Sequence, residues 1–124
     1  MLAENLHDVM ENFDFTDSIV TDVKWADNLM DLVVIVDYYW DLQEGHDNTR
    51  LVKLIFKNCT KADFQISTEL PLKPDVINKE SLFTIVLLKE LSGSLDKQQH
   101  VGIFTTDYSK PWLSVECTNV SLEG

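Results

Sequence analysis

Residues 29–42, with the sequence LMDLVVIVDYYWDL, alternate more regularly than any other part of the chain. Every second residue is apolar, in the order Met, Leu, Val, Val, Tyr, Trp and Leu. Alternation with a period of two is typical of a β-strand that buries one face. A slip of one residue would bury Asp31, Asp37 and Asp41, so the pattern also determines which face is inside.

The opposite face of this strand is apolar in its middle, at Val33 and Ile35. We therefore expect another element to cover that part of the face, and the natural candidate is a helix predicted over residues 2–12. The apolar residues of that segment recur at helical spacing. They are Leu2, Leu6, Val9, Met10 and Phe13.

Most of the remaining chain has strand-like alternation between turn residues. Further strands are predicted over residues 18–25, 50–57, 62–70, 81–91, 100–106 and 112–120. In the first of these we expect Ile19, Val23 and Trp25 to be buried, opposite Asp22 and Lys24. Helical spacing also fits residues 81–91, but their β-branched content favours a strand.

The predicted fold is therefore α+β and mainly β. An N-terminal helix packs on an antiparallel sheet of about seven strands, as a sandwich or an open barrel. The first four strands are predicted to form an antiparallel meander. The 124 residues predict one domain over 1–124, with the helix at 2–12 and a β-rich body at 18–120.

The formal charge is -11, and residues 1–50 hold 12 acids against two bases. Such a balance excludes nucleic acid and disfavours an anionic membrane as partners, because both require a basic surface. Two alternatives remain, a solvated acidic face and a recognition surface for a basic partner. No secretory signal or apolar run of membrane-spanning length is present, so a cytoplasmic location is expected.

Cys59 and Cys117 are far apart and form no CxxC motif. We expect both to be reduced and to serve as small core or half-buried residues. No spacing of histidines, serines or glycines indicates a catalytic site, so we expect no enzyme, cofactor or metal. Residues 14–18 (DFTDS) are expected to form a turn between the helix and the first strand.

Acids and one aromatic residue cluster in and after the long strand. Asp37 and Asp41 would lie roughly 13 Å apart along the strand, too far to share one metal ion. An exposed aromatic flanked by acids suits a basic protein partner or a cation. The predicted partner-binding residues are Asp31, Asp37, Tyr39, Asp41, Glu44 and Asp47.

Short motifs also resemble those of small bacterial β-rich domain families, some of them immunity proteins of toxin systems. The matching segments are FTDSI at 15–19, VKW at 23–25, residues 32–37, residues 52–58 and residues 113–120. The resemblance implies an acidic protein that neutralises a basic toxin. Where those families often have His before Asp-Ser, this chain has Phe15 and Thr16.

The sequence thus favours a non-catalytic protein-binding domain with an acidic surface for a basic partner. One alternative is a small-molecule or divalent-metal-binding domain that uses the sheet face around Asp37, Tyr39 and Asp41. Another is self-association through an edge or the second face of the sheet.

Overall fold

The computed structural model describes residues 2–38, 50–64, 85–91, 99–105 and 111–124. Within them the chain is α+β and mainly β, as predicted, with eight strands rather than about seven. The elements are α1 (Leu6–Asn12), β1 (Ile19–Trp25), β2 (Leu32–Tyr38), β3 (Arg50–Lys57), β4 (Lys61–Phe64), β5 (Leu87–Glu90), β6 (Gln99–Phe104), β7 (Leu113–Cys117) and β8 (Asn119–Glu123). The helix found among these residues is too short to cross a membrane.

The strands form two four-stranded antiparallel sheets, with the orders β1-β2-β3-β8 and β4-β7-β6-β5. Side chains from both sheets and from α1 belong to one hydrophobic core. The predicted inner face of the long strand is confirmed from Leu32 to Tyr38, but Met30 precedes β2 and is 53% exposed, and residues 40 and 42 lie outside the described residues. The fully buried residues of β2 and β3 include Leu32, Val34, Val36, Tyr38, Val52, Leu54 and Phe56.

One bent ribbon joins the two sheets. β3 pairs with β8 in the first sheet, and β4, which follows β3, pairs with β7 in the second. The predicted four-strand meander is therefore wrong at β4, because the chain changes sheets after Lys57. The strand expected over 112–120 is likewise two strands, separated at Thr118 where the ribbon bends.

A second connection ties the sheets on the side away from the ribbon. The Asp17 amide donates to the Ile85 carbonyl at 2.8 Å, and the Ile85 amide donates to the Ser18 carbonyl at 2.7 Å. The fold therefore has the two layers of a sandwich and, at this point, the backbone bridging of a barrel.

The predicted faces of β1 are partly wrong. Ser18 and Val20 are buried, whereas Trp25 is 46% exposed. The register shifts between Val20 and Asp22, and such a bulge moves the alternation by one residue. Val20 before the bulge and Val23 after it therefore both face the core. Trp25 shares the face of Val23, opposite Leu32, but stands exposed at the end of the strand.

The helix does not cover Val33 and Ile35, so that expectation is also wrong. α1 lies against β8, and its buried Leu6 and Val9 join the core of the inner faces. Asn5 is its N-cap residue, and the Asn5 side chain accepts from the Asp8 amide. Residues 2–5 are not helical because Leu2 and Ala3 bond to Leu122 of β8.

Strand structure is confirmed for the part of residues 81–91 that is described, at Leu87–Glu90. Residues 43–49 and 71–80, which separate predicted strands, lie outside the described residues.

Candidate functional site

The turn between α1 and β1 is held by its own polar groups. The Asp14 carboxylate accepts from the Thr16 amide at 2.9 Å. The Ser18 amide donates to the Phe15 carbonyl at 3.0 Å. Asp17 has a φ of 70°, a left-handed conformation that Asp tolerates better than most residues. The structural role predicted for residues 14–18 is thus confirmed.

Tyr38, at the end of β2, anchors this turn to the first sheet. Its ring makes edge-to-face contacts with Phe13 and Phe15, at centroid distances of 5.9 and 5.5 Å. Its hydroxyl accepts from the Asp14 amide at 3.2 Å. Because three consecutive turn residues are fixed through one side chain, the Asp14 carboxylate has a defined position.

An open groove of about 430 Å³ lies between this turn, the end of α1 and β5. Its volume is within the range of small-ligand and side-chain binding sites. We call it the corner groove, and it is lined by Met10, Glu11, Asn12, Phe13, Asp14, Phe15, Thr16, Leu87 and Leu88. The apolar part of the lining is half-open, since Met10 is 39% exposed and Leu88 is half-buried.

The corner groove is electronegative. Glu11 and Asp14 are the charged residues of its lining, and both are exposed. The last turn of α1 carries no basic side chain that would offset them. Carbonyl groups at the end of a helix add a partial negative charge. The groove therefore combines apolar walls with two carboxylates, an arrangement that favours a cationic group with an apolar stem.

Asp31, predicted to bind a partner, is used within the fold. Its carboxylate accepts from the Asn58 amide at 3.0 Å and from the Asn28 side chain at 3.3 Å. The same carboxylate is 4.0 Å from the Lys57 ammonium, and the Asp31 side chain is only 16% exposed. It fastens the β1–β2 hairpin to the bend of the ribbon.

Asp37 is half-buried at the other end of β2. Six residues of extended strand separate Asp31 and Asp37 by roughly 20 Å, so the structure does not bring them together. The other predicted partner-binding residues, Tyr39, Asp41, Glu44 and Asp47, lie outside the described residues.

The outer face of the first sheet carries charges of both signs. The register places Lys24 beside Val33, and Lys53 beside Ile35. Asp22 and Asp37 are on the same face. The described part of this face is therefore mixed in charge, in contrast to the two carboxylates at the corner groove.

A serine–histidine contact on the second sheet had no signal in the sequence. His100 Nε2 lies 2.6 Å from Ser114 Oγ, and Glu116 is the cross-strand partner of His100. Nucleophilic catalysis also needs a substrate groove beside the serine, and the corner groove is lined by other residues. Within the described ranges, no three His, Cys, Asp or Glu side chains are grouped as metal ligands.

Comparison with known proteins adds no relative: no protein-family model matches the chain, and no curated protein matches it. The class that the structure defines is a mainly β domain of two sheets, with a short helix and an acidic groove. Function must therefore be inferred from the groove.

Proposed function

We propose that this is a non-catalytic, cytoplasmic protein-binding domain whose corner groove takes a basic segment of a partner protein. The observation that carries the proposal is the lining of the groove: Glu11 and Asp14 stand beside Met10, Phe13 and Leu88, with no base among the described lining residues. An immunity-like role, in which the partner is a basic toxin, is one form of such binding.

A lysine or arginine side chain matches the lining in chemistry. Its methylene stem would lie against Met10 and Leu88 while its charge reaches the carboxylates. Phe13 lines the same groove. Long-range attraction by the net charge of -11 would raise the rate of encounter, and the groove would provide the specific contact.

The predicted residues outside the described ranges stay part of this proposal. They are Tyr39, Asp41, Glu44 and Asp47. Their three acids are part of the net negative charge that would attract a basic partner.

The test uses a fluorescent lysine-rich amphipathic peptide as the probe, with binding followed by anisotropy at low and physiological salt. Glu11→Gln with Asp14→Asn removes both groove charges and keeps the shape, including the acceptor for the Thr16 amide. The matched control is Asp22→Asn with Asp27→Asn, two exposed acids of β1 and its hairpin.

We expect the groove variant to weaken peptide binding at least fivefold more than the control does. Equal weakening by the two variants would show that the peptide responds to net charge alone and would overturn the groove as the binding site. Absence of binding to the unaltered protein at low salt would overturn the proposal altogether.

The small-molecule or metal alternative depends on Asp37, Tyr39 and Asp41. No observation on the described residues favours it.

A further inference from the structure

Cys59 and Cys117, which are far apart in the chain, meet at the bend of the ribbon. The Thr60 amide donates to the Glu116 carbonyl at 2.9 Å on one side of the pair. The Thr118 amide donates to the Lys57 carbonyl, also at 2.9 Å, on the other side. The two cysteines are thus enclosed between consecutive backbone hydrogen bonds of an antiparallel ladder.

This placement makes them cross-strand neighbours. The β3–β8 and β4–β7 registers on either side of the bend differ by one residue, so that Asn58 and Cys59 together lie across from Cys117 between the two hydrogen bonds. Asn58, with a φ of 49°, is the extra residue that lets the ribbon bend there. In a regular ladder, opposed residues that exchange no hydrogen bonds have Cα atoms about 4.5 Å apart, and a disulfide spans Cα separations up to about 6.8 Å, which leaves room for the displacement that a bulge introduces.

Both side chains point to the same side of the ribbon. Cys117 is fully buried in the core, and Cys59 packs against that core while remaining partly exposed. Both are free thiols in this structure. The two thiols are therefore neighbours on one face, and one of them is accessible to solvent. Two cysteines that were merely buried at separate places in the core would not have these properties.

We propose that Cys59 and Cys117 are a redox-sensitive pair that closes to a disulfide across the bend when the protein meets a small-molecule disulfide. The Cys59 thiolate attacks one sulfur of the oxidant, whose S–S bond breaks and releases one thiolate. The Cys117 thiolate then attacks Cys59 of the mixed disulfide and releases the second. Two protein thiols are oxidised, one disulfide is reduced to two thiols, and the protein's protons go to the leaving thiolates.

The structure also determines the order and the pace of these steps. Cys59 reacts first because it is the partly exposed member. Burial raises the pKa of Cys59 and raises the pKa of Cys117 to about 12, so closure is slow at neutral pH and faster in alkali. In a reducing compartment the disulfide would form only under oxidative conditions.

The experiment incubates the folded full chain with oxidised glutathione at mildly alkaline pH and follows it by mass spectrometry without reductant. We expect the loss of two hydrogens with no glutathione retained, and a peptide that links Cys59 to Cys117 after digestion. The cross-link constrains the unfolded chain, so Tm should rise by several degrees and return on reduction.

Two variants separate the steps. With the Cys117→Ala variant, the reaction with oxidised glutathione should stop at the glutathione adduct on Cys59. The Cys59→Ser variant should give neither the adduct nor the cross-link. The proposal is overturned if the unaltered protein keeps both thiols free, retains the adduct as its final product, or forms only disulfide-linked dimers. Because these readouts use the unaltered protein, a variant that fails to fold does not remove the test.

Discussion

The two ends of the first sheet use their acids in opposite ways. At the hairpin end, Asp31 accepts hydrogen bonds from the Asn58 amide and the Asn28 side chain and is largely buried. At the corner end, Glu11 and Asp14 face an open groove. In the sequence, the acids of the two ends look alike. In the fold, the acid at the hairpin end has hydrogen-bond donors around it, whereas the acids at the corner end lie beside apolar side chains and open space.

The comparison indicates which acids can be given up without damage to the fold. An acceptor for a backbone amide stabilises the native state through that hydrogen bond, whereas an exposed carboxylate in a groove contributes little. Changes at the hairpin end should therefore affect stability, and loss of the groove carboxylates should affect binding.

The largest effect is expected for Tyr38→Ala at the corner end. It removes the ring that contacts Phe13 and Phe15 and the acceptor of the Asp14 amide. Loss of a large buried aromatic side chain costs about 3–5 kcal/mol of unfolding free energy, measurable by urea denaturation. Tyr38→Phe, the matched control, keeps the ring contacts and should cost about 1 kcal/mol. Equal losses for the two variants would mean that the ring does not anchor the corner.

Alkaline pH should destabilise the bend of the ribbon, where Cys117 is buried. The bend contacts the hairpin end through a hydrogen bond that the Cys59 amide donates to the Met30 carbonyl at 2.7 Å. Burial raises the pKa of Cys117 to about 12 in the folded protein, whereas an unfolded thiol titrates near 8.5. Between these values the unfolded chain loses its proton first. The thiol's contribution to stability is therefore complete below about pH 8.5 and falls as pH rises, by at most about 1.4 kcal/mol per pH unit.

The measurement is the unfolding free energy as a function of pH in the presence of reductant. Cys117→Ala lowers stability at every pH because it leaves a cavity, but its profile should be flatter above about pH 8.5, where the unfolded thiol ionises. Parallel profiles for the variant and the unaltered protein would show that another group causes the alkaline loss.

Asp31→Ala should cost about 1–2 kcal/mol, because the Asn58 amide loses a charged hydrogen-bond acceptor. Asp31→Asn keeps an acceptor oxygen and gives up only the ion pair with Lys57, so its cost should stay below about 1 kcal/mol. Thermal unfolding of the two variants side by side measures the difference. Neither variant should change the affinity for the basic peptide beyond the effect of the control acids.

The smallest effect on stability is expected for Glu11→Gln with Asp14→Asn. Both side chains are exposed, and the amide oxygen introduced at position 14 would still accept from the Thr16 amide. The unfolding free energy, measured by urea denaturation, should therefore change by less than about 0.5 kcal/mol. A larger loss of unfolding free energy would show that these acids stabilise the fold, as Asp31 does. The contrast between the two ends would then disappear.

Sequence patterning predicted the parts of the fold that depend only on one strand. Val34, Val36, Leu54 and Phe56 are buried as the alternation requires. The pattern was misleading in β1, because a bulge shifts the register without any glycine or proline to announce it. It also did not reveal the change of sheets at Thr118, where the residues on either side keep strand-like character.

The candidate site was less predictable because it is made by residues distant in sequence. The Asp31 carboxylate accepts from the amide of Asn58, 27 residues further along. The corner groove needs α1 and the turn together with Leu87 and Leu88 of β5. Met10 and Phe13 were in the predicted helical stripe, but nothing in a single-helix pattern shows that they stand at the open end of the core.

The pairing of β8 has a consequence for how the chain folds. β8 lies between β3 and the N-terminal segment: the Ala3 and Leu122 backbones bond to each other, and the Asn119 side chain donates to the Glu4 carbonyl at 2.7 Å. The latter contact joins residues 115 apart. The first sheet therefore cannot acquire its fourth strand until residues Asn119–Glu123 have been synthesised. Such non-local closure slows folding, and until β8 arrives β3 keeps an unpaired edge exposed to other chains.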